Sequence, residues 1–240
     1  MSSIEVIEIS KVSEKKRTVI TGFPGVGFIG NTALMHMIKS MGFKQVAYVH
    51  GNLMPPLMVL LDGEPKHSFR IYIDSSEEIM FLVTEATVSG KSAWDIGQEL
   101  MKWLKVKGVK EIISIEGFPF ANPGEDIFGF TTGKANLREY GVQPIDQGAV
   151  SGICASMLEE TIKDKTPWTT IFIPTRIVSG IDYKGAVSAI RVLNKMFNIE
   201  VNTEPLEQLS AAVANAAKSR QSRQEKKGGF LNRILPGEDL

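Results

Sequence analysis

The sequence predicts a three-layer α/β/α domain with a mostly parallel sheet, and two observations predict it. Strand-like and helix-like stretches alternate from Thr18 to Phe197. The tripeptide Gly-Phe-Pro occurs twice, at Gly22-Phe23-Pro24 and Gly117-Phe118-Pro119, each time just past a strand. In an open parallel sheet with right-handed crossovers, both copies fall at the carboxyl edge, where crevices form.

The elements follow in order. Ile4, Val6 and Ile9, set among charges, read as a strand at a sheet edge. Thr18 to Thr21 is a β-branched run ending at Gly22, followed by a glycine-rich turn and a helix to about Met41 that Gly42 closes. Gln45 to His50 is the next strand. Leu57 to Leu61 and Phe69 to Ile73 flank Asp62-Gly63, which predicts an antiparallel hairpin inserted into the alternating pattern. Ile79 to Thr84 reads as a buried strand. Ser89 or Ser92 then caps a helix with an apolar stripe of Trp94, Ile96, Leu100, Trp103 and Leu104. A strand follows at Glu111 to Glu116, then an irregular segment at Gly117 to Thr132, a short helix at Gly133 to Tyr140 and a strand-like piece from Val142. Helices are predicted at Ser151 to Ile162 and Tyr183 to Phe197, with a strand at Thr169 to Ile173 between them. A last helix starts at Thr203-Glu204-Pro205 and runs through Ala217. Residues 1–217 therefore form one domain, and residues 218–240 a basic, flexible tail.

Composition removes whole classes of function. Lys plus Arg equals Asp plus Glu at 27 each, so no net positive field gathers nucleic acid. No run of about 18 apolar residues spans a membrane. A single cysteine, Cys154, rules out an intramolecular disulfide framework and fits a reducing, cytoplasmic setting. His36, His50 and His67 lack metal-ligand spacing, and no metal or cofactor is expected.

The motifs that carry chemistry are each incomplete. Gly25-Val26-Gly27-Phe28-Ile29-Gly30 matches the dinucleotide fingerprint, but the second strand ends at Val49, His50 and Gly51 without the acid that would hold a ribose. Ser89-Gly90-Lys91-Ser92 resembles the end of a phosphate-binding loop, yet Glu85 occupies the position of its first glycine. Cys154, early in a helix, is either an activated thiol or a small buried apolar residue. Gly148 and Ser151-Gly152 are expected to allow tight helix packing. No catalytic residue follows, because base, nucleophile and oxyanion site do not agree. Gly25, Gly27, Gly30, Glu85, Lys91 and Glu116 stand as candidates for a ligand or anion on the rim, which leaves a nucleotide- or nucleoside-binding protein or enzyme as the alternative reading. Phe118, Phe120, Phe128 and Phe130 form either a partner contact or a lid over the sheet. Phe230, Leu231, Ile234 and Leu235 tip the tail with an apolar docking segment.

These pieces, in this order, resemble the proteasome assembly chaperone family, specifically the second chaperone subunit and its archaeal homologues. The resemblance is carried by Gly22-Phe23-Pro24-Gly25 and the glycines after it, and by Ile79 to Thr84 with its long helix. Ile112 to Gly117, the Gly148 to Leu158 helix start and Ser179-Gly180-Ile181-Asp182-Tyr183 complete it. It implies a nucleoside-phosphorylase-like fold, no established catalytic activity, homo-oligomerisation and help in assembling proteasome α-subunits. Some archaeal members of that family dock through tails with a penultimate tyrosine. This chain ends Gly237-Glu238-Asp239-Leu240 and has none.

Overall fold

A computed structural model describes residues 4–88, 90–121 and 124–217. Its strands are β1 (Ile4–Glu8), β2 (Arg17–Gly22), β3 (Lys44–Gly51), β4 (Met58–Leu61), β5 (Glu64–His67), β6 (Phe69–Ile73), β7 (Ile79–Thr84), β8 (Val109–Pro119), β9 (Ile127–Thr131), β10 (Val142–Pro144) and β11 (Trp168–Thr175). The helices are α1 (Ile29–Met41), α2 (Gly90–Val106), α3 (Gly152–Asp164), α4 (Tyr183–Phe197) and a helical run over residues 204–217, called α5.

Nine strands form one sheet in the order β1-β3-β6-β7-β2-β8-β11-β9-β10. The central run β7-β2-β8-β11 is parallel throughout, and antiparallel pairs extend it toward both edges. Alternate residues of these strands feed two cores. Ile20, Ile113, Ile115 and Ile171 face α1 and α4, whereas Val19, Ile112 and Trp168 face α2 and α3. Central strands apolar on both faces require helices on both sides, which is the three-layer arrangement. β1 is the edge strand expected from its charged flanks.

The structure differs from the sequence reading in four places. The hairpin around Asp62-Gly63 is real, but the partner of β4 is the polar Glu64–His67 strand, while Phe69–Ile73 joins the main sheet. Both turn residues have positive φ (52° and 83°), as a two-residue hairpin turn needs, so pairing closes locally before Phe69 is reached. Residues 117–132 are not a long irregular segment. β8 runs on to Pro119, and β9 pairs antiparallel with β11 through Phe-Gly-Phe, with Gly129 lying against the Thr170 carbonyl. The short helix is one 3-10 turn at Leu137–Tyr140.

Close packing of α2 on α3 comes from Gly97 and Ser156 rather than from Gly148 and Gly152. A Cβ at Gly97 would lie 2.5 Å from Ser156 Oγ, and that hydroxyl donates to the Trp94 carbonyl at 2.8 Å. Gly152 has open space about it.

Candidate functional site

Four parallel strands deliver their carboxyl ends to one rim: Gly22 of β2, Thr84 of β7, Pro119 of β8 and Thr175 of β11. The glycine-rich turn crosses this rim as a 3-10 turn, Val26–Phe28, before α1. Its glycines meet the protein's own backbone. A Cβ on Gly22 would lie 2.5 Å from the Gly30 carbonyl oxygen. One on Gly30 would strike the Ile115 carbonyl, and one on Gly117 the Val26 carbonyl. Gly27 (φ 68°) sits against Asp182 and Ile177. Gly25 faces the Glu116 carboxyl: its Cβ would stand 3.6 Å from Oε2.

Asp182 ties the turn to the far side of the rim, a role the sequence did not disclose. Its carboxylate accepts the Gly185 N–H (2.8 Å), capping α4, and the Thr175 hydroxyl (2.5 Å). Its own N–H donates to the Gly27 carbonyl at 2.8 Å. The stretch Ser179 to Tyr183 therefore acts as a clasp between β11, α4 and the glycine turn. The Asp at an N-cap position was the signal available for it.

The candidate ligand residues occupy separate surroundings. Gly25 and Glu116 stand together. Glu85 is engaged by Arg70, whose guanidinium is fully buried and meets both carboxylate oxygens, at 2.6 and 2.9 Å. Arg70 also donates to Tyr72 Oη (2.9 Å) and to the His67 carbonyl (2.6 Å). Burial pulls the Arg70 pKa down, but Glu85 and Tyr72 outweigh it and hold the guanidinium above its ordinary value. Lys91 is exposed in the first turn of α2, and Ser89 lies outside the described residues.

Glu116 projects from β8 on the α2/α3 face, beneath the start of α3. Burial pushes its carboxyl up to about 7, against the lowering effect of a hydrogen bond with Cys154. Thr21 Oγ1 lies 3.4 Å from Cys154 Sγ. Burial, with the Glu116 charge adding to it, raises the Cys154 thiol well above its ordinary value, so this is a packed thiol and not an activated one. The arrangement offers one proton donor or acceptor near neutral pH at the edge of a glycine turn. Among the described residues no group of three His, Cys, Asp or Glu side chains is placed to hold a metal ion, and no helix is long and apolar enough to cross a membrane.

The aromatic candidates line the same face beyond Glu116. Phe118 packs edge-on to Phe172 (centroids 5.9 Å apart), and Phe130 meets Phe172 at 6.3 Å. Phe118, Phe128 and Phe130 are half-buried on sheet strands, and only Phe120, at the β8–β9 turn, is well exposed. Phe230, Leu231, Ile234 and Leu235 lie outside the described residues. Further apolar side chains stand exposed on the rim without having been picked out from the sequence, Met58 and Leu60 on the hairpin and Val178 after β11, and Trp94, expected in the apolar stripe of α2, is exposed there as well because it lies at the helix start beyond the packed face. Periodicity could not find them, because it assigns apolar residues inward.

On the other face a cavity of about 790 Å³ opens between α4, α5 and the β11–α4 connection. Its walls carry Ile177, Ile181 and Val213 together with Lys184 and Lys195. Ala217, the last described residue, lies at its lip.

Relatives share this frame. The chain is 26% identical over 221 residues to the uncharacterized protein MJ0106 of Methanocaldococcus jannaschii, covering 91% of each. Pyrococcus furiosus PbaA, described as an archaeal homolog of proteasome-assembly chaperone, superposes with a TM-score of 0.82 at 21% identity, covering 96% of this chain and 97% of that one. PbaB of the same organism, described as an archaeal proteasome activator, gives 0.78 at 16% identity, with 92% and 98% covered. The resemblance to assembly chaperones and their archaeal homologues thus holds at the level of family and fold. The PAC2 family profile matches residues 19–220, and the chain belongs to the PAC2 family.

Proposed function

We propose that the protein is a non-enzymatic, homo-oligomeric, cytoplasmic chaperone-like protein that binds proteasome α-subunits through the carboxyl rim of its sheet and assists proteasome assembly. Membership of the PAC2 family and the fold shared with PbaA and PbaB support this reading. The observation that carries it is the exposure of large apolar side chains along one rim. Leu60 is 75% exposed, Val178 71%, Met58 54%, Phe120 45% and Trp94 44%. All of them follow the carboxyl end of a parallel strand or sit on the hairpin that enters β6, whose Phe69 is paired with Thr84 at the end of β7. Ile9, Val106 and Ile162 are exposed elsewhere, but several exposed apolar groups on one edge suit a surface made for another chain.

The test is retention of α-subunits by the immobilised full chain. Retention is expected, and a double variant Leu60→Asp/Phe120→Asp is expected to lose about tenfold in affinity (two contacts near 0.7 kcal/mol each) without a change in melting temperature. No retention by the full chain overturns the reading.

One observation favours the alternative of a nucleoside or nucleotide at the glycine turn: Glu116, with its carboxyl raised to about 7, stands behind Gly25. A thermal-shift screen separates the two, since a ligand at about 100 times its dissociation constant adds about 2.7 kcal/mol.

A further inference from the structure

We infer that the free edge of β4 pairs with β4 of a second copy of this chain, antiparallel about a two-fold axis through Val59. The inference rests on the homo-oligomeric part of the reading above and names its contact. It starts from how the exposed strand edges are treated. An unpaired edge offers N–H and C=O groups to any extended chain, and proteins blunt such edges with charges or proline. β1, at one end of the main sheet, carries Glu5 and Glu8. β10, at the other end, carries Pro144. In the hairpin, β5 carries Glu64, Pro65 and Lys66. β4 reads Met-Val-Leu-Leu, with neither charge nor proline, and among the described residues it pairs with β5 alone.

Pro65 fixes which backbone groups of β4 are free. It stands opposite Leu60 and has no N–H, which suits a non-hydrogen-bonded pair of the hairpin. Bonded and non-bonded pairs alternate, so Val59 and Leu61 spend their N–H and C=O on Lys66 and Glu64, while Met58 and Leu60 aim theirs outward. The side chains of Met58 and Leu60 share one face and are 54% and 75% exposed. This pattern is its own complement. Turned about Val59, one copy sets Met58 opposite the partner's Leu60 and Leu60 opposite the partner's Met58. Both pairs join residues whose backbone groups point outward, so each exchanges both N–H···O bonds. Opposed residues lie on the same face of a sheet, which gathers the four exposed side chains into one apolar cluster that neither copy has alone. Slipping the register by one residue sets Met58 and Leu60 against groups already spent on β5. The charges of β5 lie on the far side of each hairpin and are not brought together. A pair joined this way carries two rims, so the contact adds valency to the capture of another protein.

The experiment uses the full chain with single cysteine exchanges, natural Cys154 being buried. Val59 meets its own copy across the axis in a non-hydrogen-bonded pair, where Cα atoms stand about 4.5 Å apart, within disulfide reach. Leu60 meets its own copy only on the diagonal, at about 7–8 Å, beyond that reach. With diamide as oxidant, half-buried Val59→Cys should link two chains about tenfold faster than Leu60→Cys, the reverse of the order that exposure alone sets. Independently, Met58→Lys with Leu60→Lys places like charges opposite each other and should halve the mass found by light scattering, with the circular dichroism unchanged. Equal or faster linking of Leu60→Cys overturns the proposal. So does a lysine variant of unchanged mass, which leaves the homo-oligomeric reading standing, and if that variant loses α-subunits the edge belongs to another protein. A wild-type chain that is monomeric at every concentration overturns both.

Discussion

Glu116 gives the sharpest test of the site's electrostatics. Its carboxyl is raised from 4.5 to about 7 in the folded protein, with burial as the main cause. An acid whose pKa is higher folded than unfolded binds its proton more tightly in the native state. The unfolded chain then holds fewer protons through the interval between the two values, so stability falls as pH rises. The loss begins near 4.5, is complete above about 7 and is flat beyond. At ~1.36 kcal/mol per pH decade the full gap is worth about 3 kcal/mol, and partial exposure of the side chain brings the expected effect to about 1–3 kcal/mol.

Replacing Glu116 by Gln keeps the shape and removes the ionisation. Urea unfolding followed by the fluorescence of fully buried Trp168 should find the two proteins alike near pH 5, apart from a constant offset. The variant should then gain on the wild type through pH 6 and 7, and lead by about 1–3 kcal/mol at pH 8. Histidine titrations cancel in the difference between the two chains. A difference that does not change with pH would refute the reasoning, and one that grows toward acid would reverse its sign.

Three further substitutions test the contacts around the rim. Glu85→Ala strands the fully buried Arg70 guanidinium and should cost about 3–5 kcal/mol by denaturant unfolding, most of it recovered when Arg70→Met is added. Gly117→Ala drives a methyl group into the Val26 carbonyl and should cost about 2 kcal/mol or more, whereas Gly90→Ala, with nothing within 4 Å, should be neutral or slightly stabilising. Asp182→Ala removes the α4 cap and the acceptor for Thr175, an expected loss of about 1–3 kcal/mol in the calorimetric melt, of which Asp182→Asn should spare a part.

The sequence was most legible where a single element decides its own fate. α4 was predicted at its observed bounds because Val187, Ile190 and Leu193 repeat at helical spacing. The central strands were legible because they are apolar throughout. What escaped was set by neighbours far along the chain. β5, Glu-Pro-Lys-His, has no strand signature and exists because the turn at Asp62-Gly63 folds it onto β4. Phe-Gly-Phe in β9 becomes a strand because β11 offers an open edge. The same holds for the site. Glu85 reads as a free rim carboxylate until the antiparallel β6–β7 pair sets Arg70 opposite Val83 and beside it. Glu116 was legible as an acid at a strand end, but its raised pKa comes from burial in the folded protein, which outweighs the lowering hydrogen bond with Cys154.

The G-x-G-x-x-G stretch shows why such a motif speaks less plainly than its spacing suggests. In a nucleotide fold the missing side chains let a pyrophosphate approach. Here Gly22 meets Gly30, Gly30 meets Ile115, Gly117 meets Val26 and Gly27 meets Asp182, so the space left by absent Cβ atoms is taken up by this chain's own atoms. Gly25 faces Glu116 instead, and an anion arriving there meets a carboxyl that becomes charged as pH passes about 7. The turn is thus rigidly clamped between β8 and the Asp182 clasp, while the apolar side chains flanking it point outward. A clamped turn loses little conformational entropy when another chain covers the rim beside it, the condition under which modest contacts by exposed apolar side chains such as Val178 and Trp94 yield useful affinity.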